Sequence, residues 1–309
     1  MIHSNSEGDI YIEEMPLLLV HLREEEKGAD ARLSEVLSYA LDGYAYETAT
    51  EISVFEDYVN RWRRLEKTQN RKNPVQGRIL FAVPLGTSGI NLELYRLIRF
   101  LREHPDFLNG FVGGLLVDSE NDLYSKSAAK DLVFAANCAG CAFVGRPLVE
   151  GTRTLSNYTI VSNNLGTDLM GAYRESAAGL VKEVLGTDCV RKKCPKVLVL
   201  HASSHKTSNT YAIWNRVKEQ LPEMEIREIG LRNGTLSDCA GCPYKMCLHF
   251  GEQGSCFYGG VMVEDVYPAV READAIVMLC PNYNDALSAN LTAFINRLTS
   301  LFRTTRFYD

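Results

Sequence analysis

Short apolar runs that alternate with amphipathic segments restrict the possible folds more than any other feature of this chain. Each run has the length of a buried strand, and the segments between the runs carry apolar residues at helical spacing. Strands that alternate with helices indicate an α/β fold, in which helices cover both faces of a parallel sheet. In the first half of the chain, strands are predicted at 17–20, 79–83, 114–117 and 141–144, and helices at 126–136 and 168–185.

The same pattern starts again after residues 186–196, a stretch with a basic run that we interpret as a linker. We therefore predict two domains, 1–190 and 195–309. The strands of the second domain are predicted at 197–201, near 226–229 and at 275–280.

Residues 79–101 align without a gap with residues 276–298, and Pro84 falls on Pro281. The shared order of strand, proline, loop and helix favours a duplicated domain. The alternative is that two parallel-sheet units resemble each other by chance.

The composition restricts the classes of function. A net charge of -6 argues against a non-specific nucleic-acid binder, because such proteins need a basic face. No apolar run has the length of a membrane span, and the polar, acidic start of the chain differs from a signal peptide. We therefore expect a cytoplasmic protein that binds neither nucleic acid nor membrane. The nine cysteines, an odd number, fit poorly with a disulfide framework.

A hydroxyl-rich loop, residues 202–210, joins the strand at 197–201 to the next helix. The first N–H groups of a helix are unpaired and the helix dipole favours an anion there, so this position suits a phosphate. Ser and Thr hydroxyls add neutral donors, and Lys206 adds a positive charge. The alternative is that the loop is an ordinary Ser/Thr-rich helix cap.

Two motifs of the second domain occur together in a known family. The loop contains Ser-x-x-x-x-Ser-Asn-Thr at 203–210, and the strand at 275–280 leads into Pro-Asn-Tyr-Asn, followed by a helix with Phe-Ile-Asn-Arg-Leu at 294–298. In this order they resemble the NADPH-dependent FMN reductase family of flavodoxin-like flavoproteins, which includes iron–sulfur flavoproteins. The resemblance covers about 195–303.

The resemblance implies two tandem flavodoxin-like three-layer (αβα) domains with parallel sheets. It also implies that the second domain binds FMN, with NAD(P)H as co-substrate, and that the loop after Pro281 lies against the isoalloxazine ring. The residues expected to bind the cofactor are Ser203, Ser204, His205, Lys206, Thr207, Ser208, Asn209, Thr210, Pro281, Asn282, Tyr283 and Asn284.

The second domain departs from the family in one respect. A flavodoxin-like sheet has five parallel strands, but only three are predicted between Pro195 and Asp309. Three explanations are open. The chain is a fragment of a longer protein, another chain supplies the missing strands, or the small domain is stable on three strands packed against the first domain. We favour the fragment, and in each case we expect the FMN site within this chain to be incomplete.

Four cysteines cluster between the second and third strands of the second domain: Cys239, Cys242, Cys247 and Cys256. Iron–sulfur flavoproteins have a compact cysteine cluster in this interval, so the resemblance implies a [4Fe–4S] site, although the spacings here are looser. A structural zinc ion is one alternative, and free thiols or a redox pair near the flavin are another. The Cys-Ala-Gly-Cys of 239–242 recurs at 138–141, where we expect small buried thiols.

Where the second domain has its phosphate loop, the first domain has three adjacent carboxylates, Glu24, Glu25 and Glu26. These would repel a phosphate, since close like charges cost on the order of 1 kcal/mol per pair even at surface dielectric. We predict that the first domain has lost FMN. The two domains would then form a pseudo-dimer that imitates the family's homodimer, with loop 85–89 lining the other domain's site; a homo-oligomer of the chain is the alternative.

The predicted function is that of an FMN-dependent oxidoreductase, which passes electrons from NAD(P)H through flavin to a small-molecule or redox acceptor. The cofactor carries this chemistry, so no residue is nominated as catalytic. Two alternatives are kept. One is an iron–sulfur flavoprotein that only carries electrons, and the other is a non-enzymatic flavodoxin-like assembly or binding module that has lost FMN.

Overall fold

The chain divides into two compact units, with the boundary between Cys189 and Val190. The structure is a computed structural model, and it describes residues 15–23, 27–68, 76–189, 192–203, 208–232, 234–282 and 284–302. Each unit has its own parallel sheet with helices between successive strands. The α/β flavodoxin-like fold class predicted from the sequence is therefore confirmed.

The sheet of the first unit contains β1 (Leu17–His21), β2 (Tyr46–Ala49), β3 (Gly77–Leu85), β4 (Phe111–Ser119) and β5 (Ala142–Gly151). All pairs are parallel, and the strand order is β2-β1-β3-β4-β5. This is the flavodoxin order. The central strands β1 and β4 are buried along their whole length, as expected for strands that have helices on both faces.

The helices of the first unit are α1 (Lys27–Ala40), α2 (Ile52–Thr68), α3 (Leu92–Glu103), α4 (Ser125–Cys138), α5 (Thr159–Leu165) and α6 (Leu169–Gly186). Helices α2, α3 and α4 pack on one face of the sheet through a core that includes Trp62 and Leu97. Helices α1, α5 and α6 pack on the other face, around Leu33 and Val181. The first unit thus has the predicted three layers.

The second unit contains β6 (Lys196–His201), β7 (Glu225–Gly230) and β8 (Ala275–Leu279), in the parallel order β7-β6-β8. This order matches that of the first three strands of the first unit. The helices are α7 (Asn209–Lys218), α8 (Tyr244–Glu252), α9 (Tyr267–Glu272), α10 (Ala289–Arg297) and α11 (Thr299–Phe302), and a π-helical stretch, Met262–Val266, leads into α9.

Strand β8 lies at the edge of the three-stranded sheet that the described residues form. One face of β8 is apolar and accessible, since the side chains of Ile276 and Met278 on that face are 42% and 43% exposed. In the first unit the corresponding strand, β3, pairs on both sides and is buried. The shortened second sheet agrees with the three strands that the sequence predicted.

No helix in the described part of the chain combines the length and the apolar character that crossing a membrane requires.

Substitution of Gly114 tests the packing of α6 on β4. A Cβ at Gly114 would lie 2.8 Å from both Leu180 Cδ1 and Val184 Cγ2. Gly114→Ala should therefore lower the free energy of unfolding by about 1–3 kcal/mol, the usual cost of overpacking a core. The control is Gly179→Ala, a substitution on α6 at a position where an added Cβ meets nothing within 4 Å. Equal thermal unfolding of the two variants would contradict this packing.

Candidate functional site

The two loops predicted to bind FMN leave the second sheet side by side. His201 and Leu279 are partners in the last register position between β6 and β8. Because the strands are parallel, the loop that begins at Ala202 and the loop that begins at Cys280 emerge from the same edge of the sheet. This carboxyl edge is where open α/β sheets bind their ligands.

Helix α7 begins at the end of the first of these loops. Ser208 is its N-cap, with an extended backbone, and its hydroxyl accepts a hydrogen bond from the Tyr211 N–H at 3.3 Å. Asn209 and Thr210 form the first turn, where the N–H groups have no acceptor within the helix. The structure therefore places a helix N-terminus at the predicted phosphate position. Ser203 is also described, whereas Ser204, His205, Lys206 and Thr207 lie outside the described residues.

His201, the last residue of β6, has an unsatisfied ring nitrogen beside this loop. Its Nδ1 is buried and has no hydrogen-bond partner among the described residues, and its ring centre lies 5.2 Å from that of Tyr211. In the first unit the corresponding His21 is paired, since its Nε2 lies 2.8 Å from Asp30 Oδ1. The described residues therefore give these two histidines different contacts.

Glu228 on β7 fixes the position of α7, a role that the sequence patterns did not predict. Its carboxylate accepts hydrogen bonds from Tyr211 Oη at 2.5 Å, Trp214 Nε1 at 3.2 Å and Lys218 Nζ at 2.8 Å. Burial alone would raise the pKa of Glu228, but these three donors outweigh it and lower the pKa to about 2. Glu228 is therefore ionised under ordinary conditions, and it holds the helix whose N-terminus faces the loop.

The loop after β8 has an unusual backbone at the positions predicted to face the flavin. Asn284 and Asp285 have φ angles of +51° and +58°, in the left-handed region that only Gly, Asn and Asp adopt readily. Asn282 closes the turn, since its Oδ1 accepts a hydrogen bond from the Asp285 N–H at 2.8 Å. Pro281 is half-buried, Asn282 and Asn284 are exposed, and Tyr283 lies outside the described residues. Such backbone conformations are common at ligand sites.

The first unit uses one of its own carboxylates at the equivalent helix start. Glu120, directly after β4, accepts a hydrogen bond through Oε1 from the Ala29 N–H in the first turn of α1, at 3.1 Å. An internal anion thus takes the position that suits a phosphate. The three predicted repelling residues, Glu24, Glu25 and Glu26, lie outside the described residues.

A polar pocket of about 400 Å³ lies beside Glu120 at the carboxyl edge of the first sheet. Arg32 lines it and is held by a two-point ion pair with Asp118, whose carboxylate is fully buried, at 2.7–3.1 Å. Its Nη1 also donates to the Arg153 carbonyl at 3.1 Å. The first unit therefore has charged pairs at an edge where the second unit has hydroxyls and amides.

The four predicted cluster cysteines line one cavity in the second unit. The cavity has a volume of about 30 Å³, and Tyr258 and Arg297 also line it, with Cys239, Cys242, Cys247 and Cys256. The Cys242 sulfur raises the pKa of the neighbouring Tyr258 phenol. Within the described ranges, however, no group of three or more His, Cys, Asp or Glu side chains has an arrangement that could hold a metal ion.

The Cys-Ala-Gly-Cys tetrapeptide at 138–141 has two thiols that differ in their exposure to solvent. Cys141 is buried, as predicted, and burial raises the pKa of its thiol. Cys138 is exposed, so the prediction of a buried thiol is wrong for this residue. The reason is its position as the last residue of α4, where its side chain lies outside the core.

Comparison with known proteins gives one match. Residues 195–307 match the family model described as NADPH-dependent FMN reductase, so the resemblance predicted over about 195–303 is confirmed. Searches of curated proteins and of solved structures each find no match to the chain. The family match supports a flavin-dependent oxidoreductase in general, and it includes both the loop before α7 and the loop after β8.

Glu228→Gln tests the anchoring of α7 through a pH dependence. At neutral pH the variant should lower the free energy of unfolding by about 1–3 kcal/mol, because three hydrogen bonds lose their charged acceptor. A carboxyl whose pKa is lowered by folding stabilises the protein above its unfolded pKa, about 4.5, and loses this effect as the pH falls through its folded pKa, about 2.

The difference in stability between wild type and variant should therefore shrink as the pH falls from 4.5 towards 2. Chemical denaturation at several pH values measures it. Glu225→Gln, at an exposed position on the same strand, is the control. A difference that does not change with pH would contradict the assigned role of Glu228.

Proposed function

We propose that the second unit is an FMN-dependent oxidoreductase domain that takes electrons from NAD(P)H. The observation that carries this proposal is the placement of two family motifs at one sheet edge. One begins at the end of β6 and the other at the end of β8, and both lie within residues 195–307, which match the family. The acceptor is proposed only by class, as a small molecule or a redox partner.

The FMN phosphate would bind at the start of α7. The first-turn N–H groups of Asn209 and Thr210, and the hydroxyls of Ser203, Ser208 and Thr210, are donors of the kind that holds a phosphate at a helix N-terminus. The unpaired Nδ1 of His201 lies at the other end of the same loop and supports a group bound there. Ser204, His205, Lys206 and Thr207 remain part of the proposal through the sequence motif.

The flavin ring would lie against the loop after β8. Pro281, Asn282 and Asn284 carry this part of the proposal, with Tyr283 added from the sequence motif. Asn284 has a left-handed backbone, and the exposed Asn282 is held by hydrogen bonds to Asp285. When bound, FMN would supply the hydride and electron transfer, and the protein residues would bind and orient it.

The first unit is proposed to hold no FMN. The Glu120 carboxylate accepts a first-turn N–H of α1, so an incoming phosphate would meet a negative charge instead of a free donor. The duplicated domain, and a dimer made of two chains or of two units of one chain, stay predictions.

The iron–sulfur alternative lacks a supporting observation. Cys239, Cys242, Cys247 and Cys256 line one cavity. Among the described residues, however, no group of three or more His, Cys, Asp or Glu side chains is arranged to hold a metal ion. We therefore do not propose the electron carrier as a second function.

Asn209→Asp tests the phosphate site and keeps the fold. A carboxylate in the first turn of α7 is favourable for the helix, whereas it repels a phosphate dianion. We expect the affinity for FMN to fall by roughly tenfold or more, since close like charges at a surface cost over ~1 kcal/mol. Asn209→Ala is the matched control, because it removes the amide and adds no charge.

FMN binding is followed by quenching of flavin fluorescence, and turnover by the FMN-dependent loss of NAD(P)H absorbance. Thermal unfolding confirms that both variants are folded. Equal FMN affinity in Asn209→Asp and wild type would refute the phosphate site. A wild-type chain that neither binds FMN nor oxidises NAD(P)H would instead favour the non-enzymatic module.

A further inference from the structure

The two identical Cys-Ala-Gly-Cys tetrapeptides have different surroundings, and this difference assigns a function to one of them. We propose that Cys239 and Cys242 form a redox-active dithiol that converts reversibly to a disulfide, while Cys138 and Cys141 stay reduced. The proposal concerns the side chains of this chain alone and does not depend on bound FMN.

The tetrapeptide at 239–242 has both of its cysteines at one cavity. Cys239 is exposed and Cys242 is half-buried, and both line the cavity of about 30 Å³ described above. Gly241 between them has a φ of +67°, a left-handed conformation that turns the chain back within the tetrapeptide. Both cysteines thus lie at one cavity, and the exposed Cys239 is accessible to a reagent.

Arg297 brings a positive charge to the same cavity. The residue is only 4% exposed, and its Nη2 donates to the Gly259 carbonyl at 3.0 Å. Its Nη1 donates to Ser237 Oγ at 3.5 Å, and its buried Nε has no hydrogen-bond partner among the described residues. Both thiols therefore share their cavity with a buried guanidinium. Reactive cysteines generally lie in such positively charged surroundings.

One helix provides both this cation and the anchor of the tetrapeptide. Asp238 Oδ1 accepts hydrogen bonds from the Cys239 N–H at 2.6 Å and from Asn296 Nδ2 at 2.9 Å. Asn296 and Arg297 are neighbours on α10. The position of Cys239 is therefore fixed relative to the guanidinium that lines the cavity.

The first tetrapeptide lacks these features. Cys141 is 1% exposed, and its sulfur is close to Gly113, where an added Cβ would lie 3.0 Å from Sγ. Burial raises the pKa of this thiol, so the reactive thiolate is disfavoured. Cys138 is accessible, but its partner in the tetrapeptide is not.

The chemistry is thiol–disulfide exchange with a low-molecular-weight disulfide, RSSR. The Cys239 thiolate attacks one sulfur of RSSR, a mixed disulfide forms, and RS⁻ leaves and takes up the proton that Cys239 lost. Cys242, as its thiolate, then attacks the Cys239 sulfur and expels the second RS⁻, which is protonated in turn. Two protein thiols are oxidised to one disulfide, and RSSR is reduced to two RSH.

The test incubates the reduced, folded chain with glutathione disulfide, then blocks free thiols with an alkylating reagent under denaturing conditions. Trypsin places each tetrapeptide in its own peptide, 131–153 and 233–245, which mass spectrometry distinguishes. We expect peptide 233–245 to lose two hydrogens and resist alkylation. Peptide 131–153 should carry two alkyl groups, with oxidation slower by roughly tenfold or more.

Two variants sharpen the test. Cys242→Ser should stop the reaction at the first step, so that Cys239 accumulates as a mixed disulfide with glutathione. Arg297→Gln should slow oxidation by roughly tenfold, while Arg297→Lys keeps a cation and should retain most of the rate. If the Arg297 variants do not fold, the Cys242→Ser result decides.

Equal oxidation of the two peptides would overturn the proposal. So would a disulfide that joins Cys239 or Cys242 to Cys247 or Cys256, or a stoichiometric metal ion that protects all four thiols from alkylation.

Discussion

The first helix after the first strand of each sheet begins with unpaired N–H groups at the carboxyl edge, and both units must satisfy them. The first unit does so internally, because Glu120 at the end of β4 accepts the Ala29 N–H of α1. In the described part of the second unit, the Ser208 hydroxyl pairs with the Tyr211 N–H of α7. The described residues therefore place a carboxylate at the helix start of the first unit and a hydroxyl at that of the second.

The proposed FMN site depends on the position of α7, and Glu228 restrains that position. Three side chains of α7 donate to its carboxylate, so the helix cannot shift along β7 without breaking charge-assisted hydrogen bonds. Nearby, the left-handed turn at Asn284 and Asp285 shapes the second loop. This helix N-terminus and this turn, both at one sheet edge, would form the proposed FMN site.

Strands such as β1 and β6 could be predicted from the sequence because they are buried and form continuous apolar runs. Strand β8 has the same kind of run, although most of its residues are exposed. Strand β2 was missed, since this edge strand has only one buried residue, Ala49, and its sequence shows no such run. The contact between Glu120 and Ala29 joins residues 91 positions apart, so no local pattern reveals it. The motif at 294–298 identified Arg297, but the burial of its side chain depends on the loops around it. Repeated tetrapeptides likewise gave no sign that Cys138 is exposed and Cys141 buried.

We propose that the second unit recognises the phosphate of FMN at the start of α7. Riboflavin differs from FMN only by that phosphate, and the quenching of flavin fluorescence measures the affinity of the chain for each. We expect FMN to bind more tightly by roughly tenfold or more, because charge-assisted hydrogen bonds are each worth on the order of 1.5–3 kcal/mol. Equal affinity for the two flavins would contradict it.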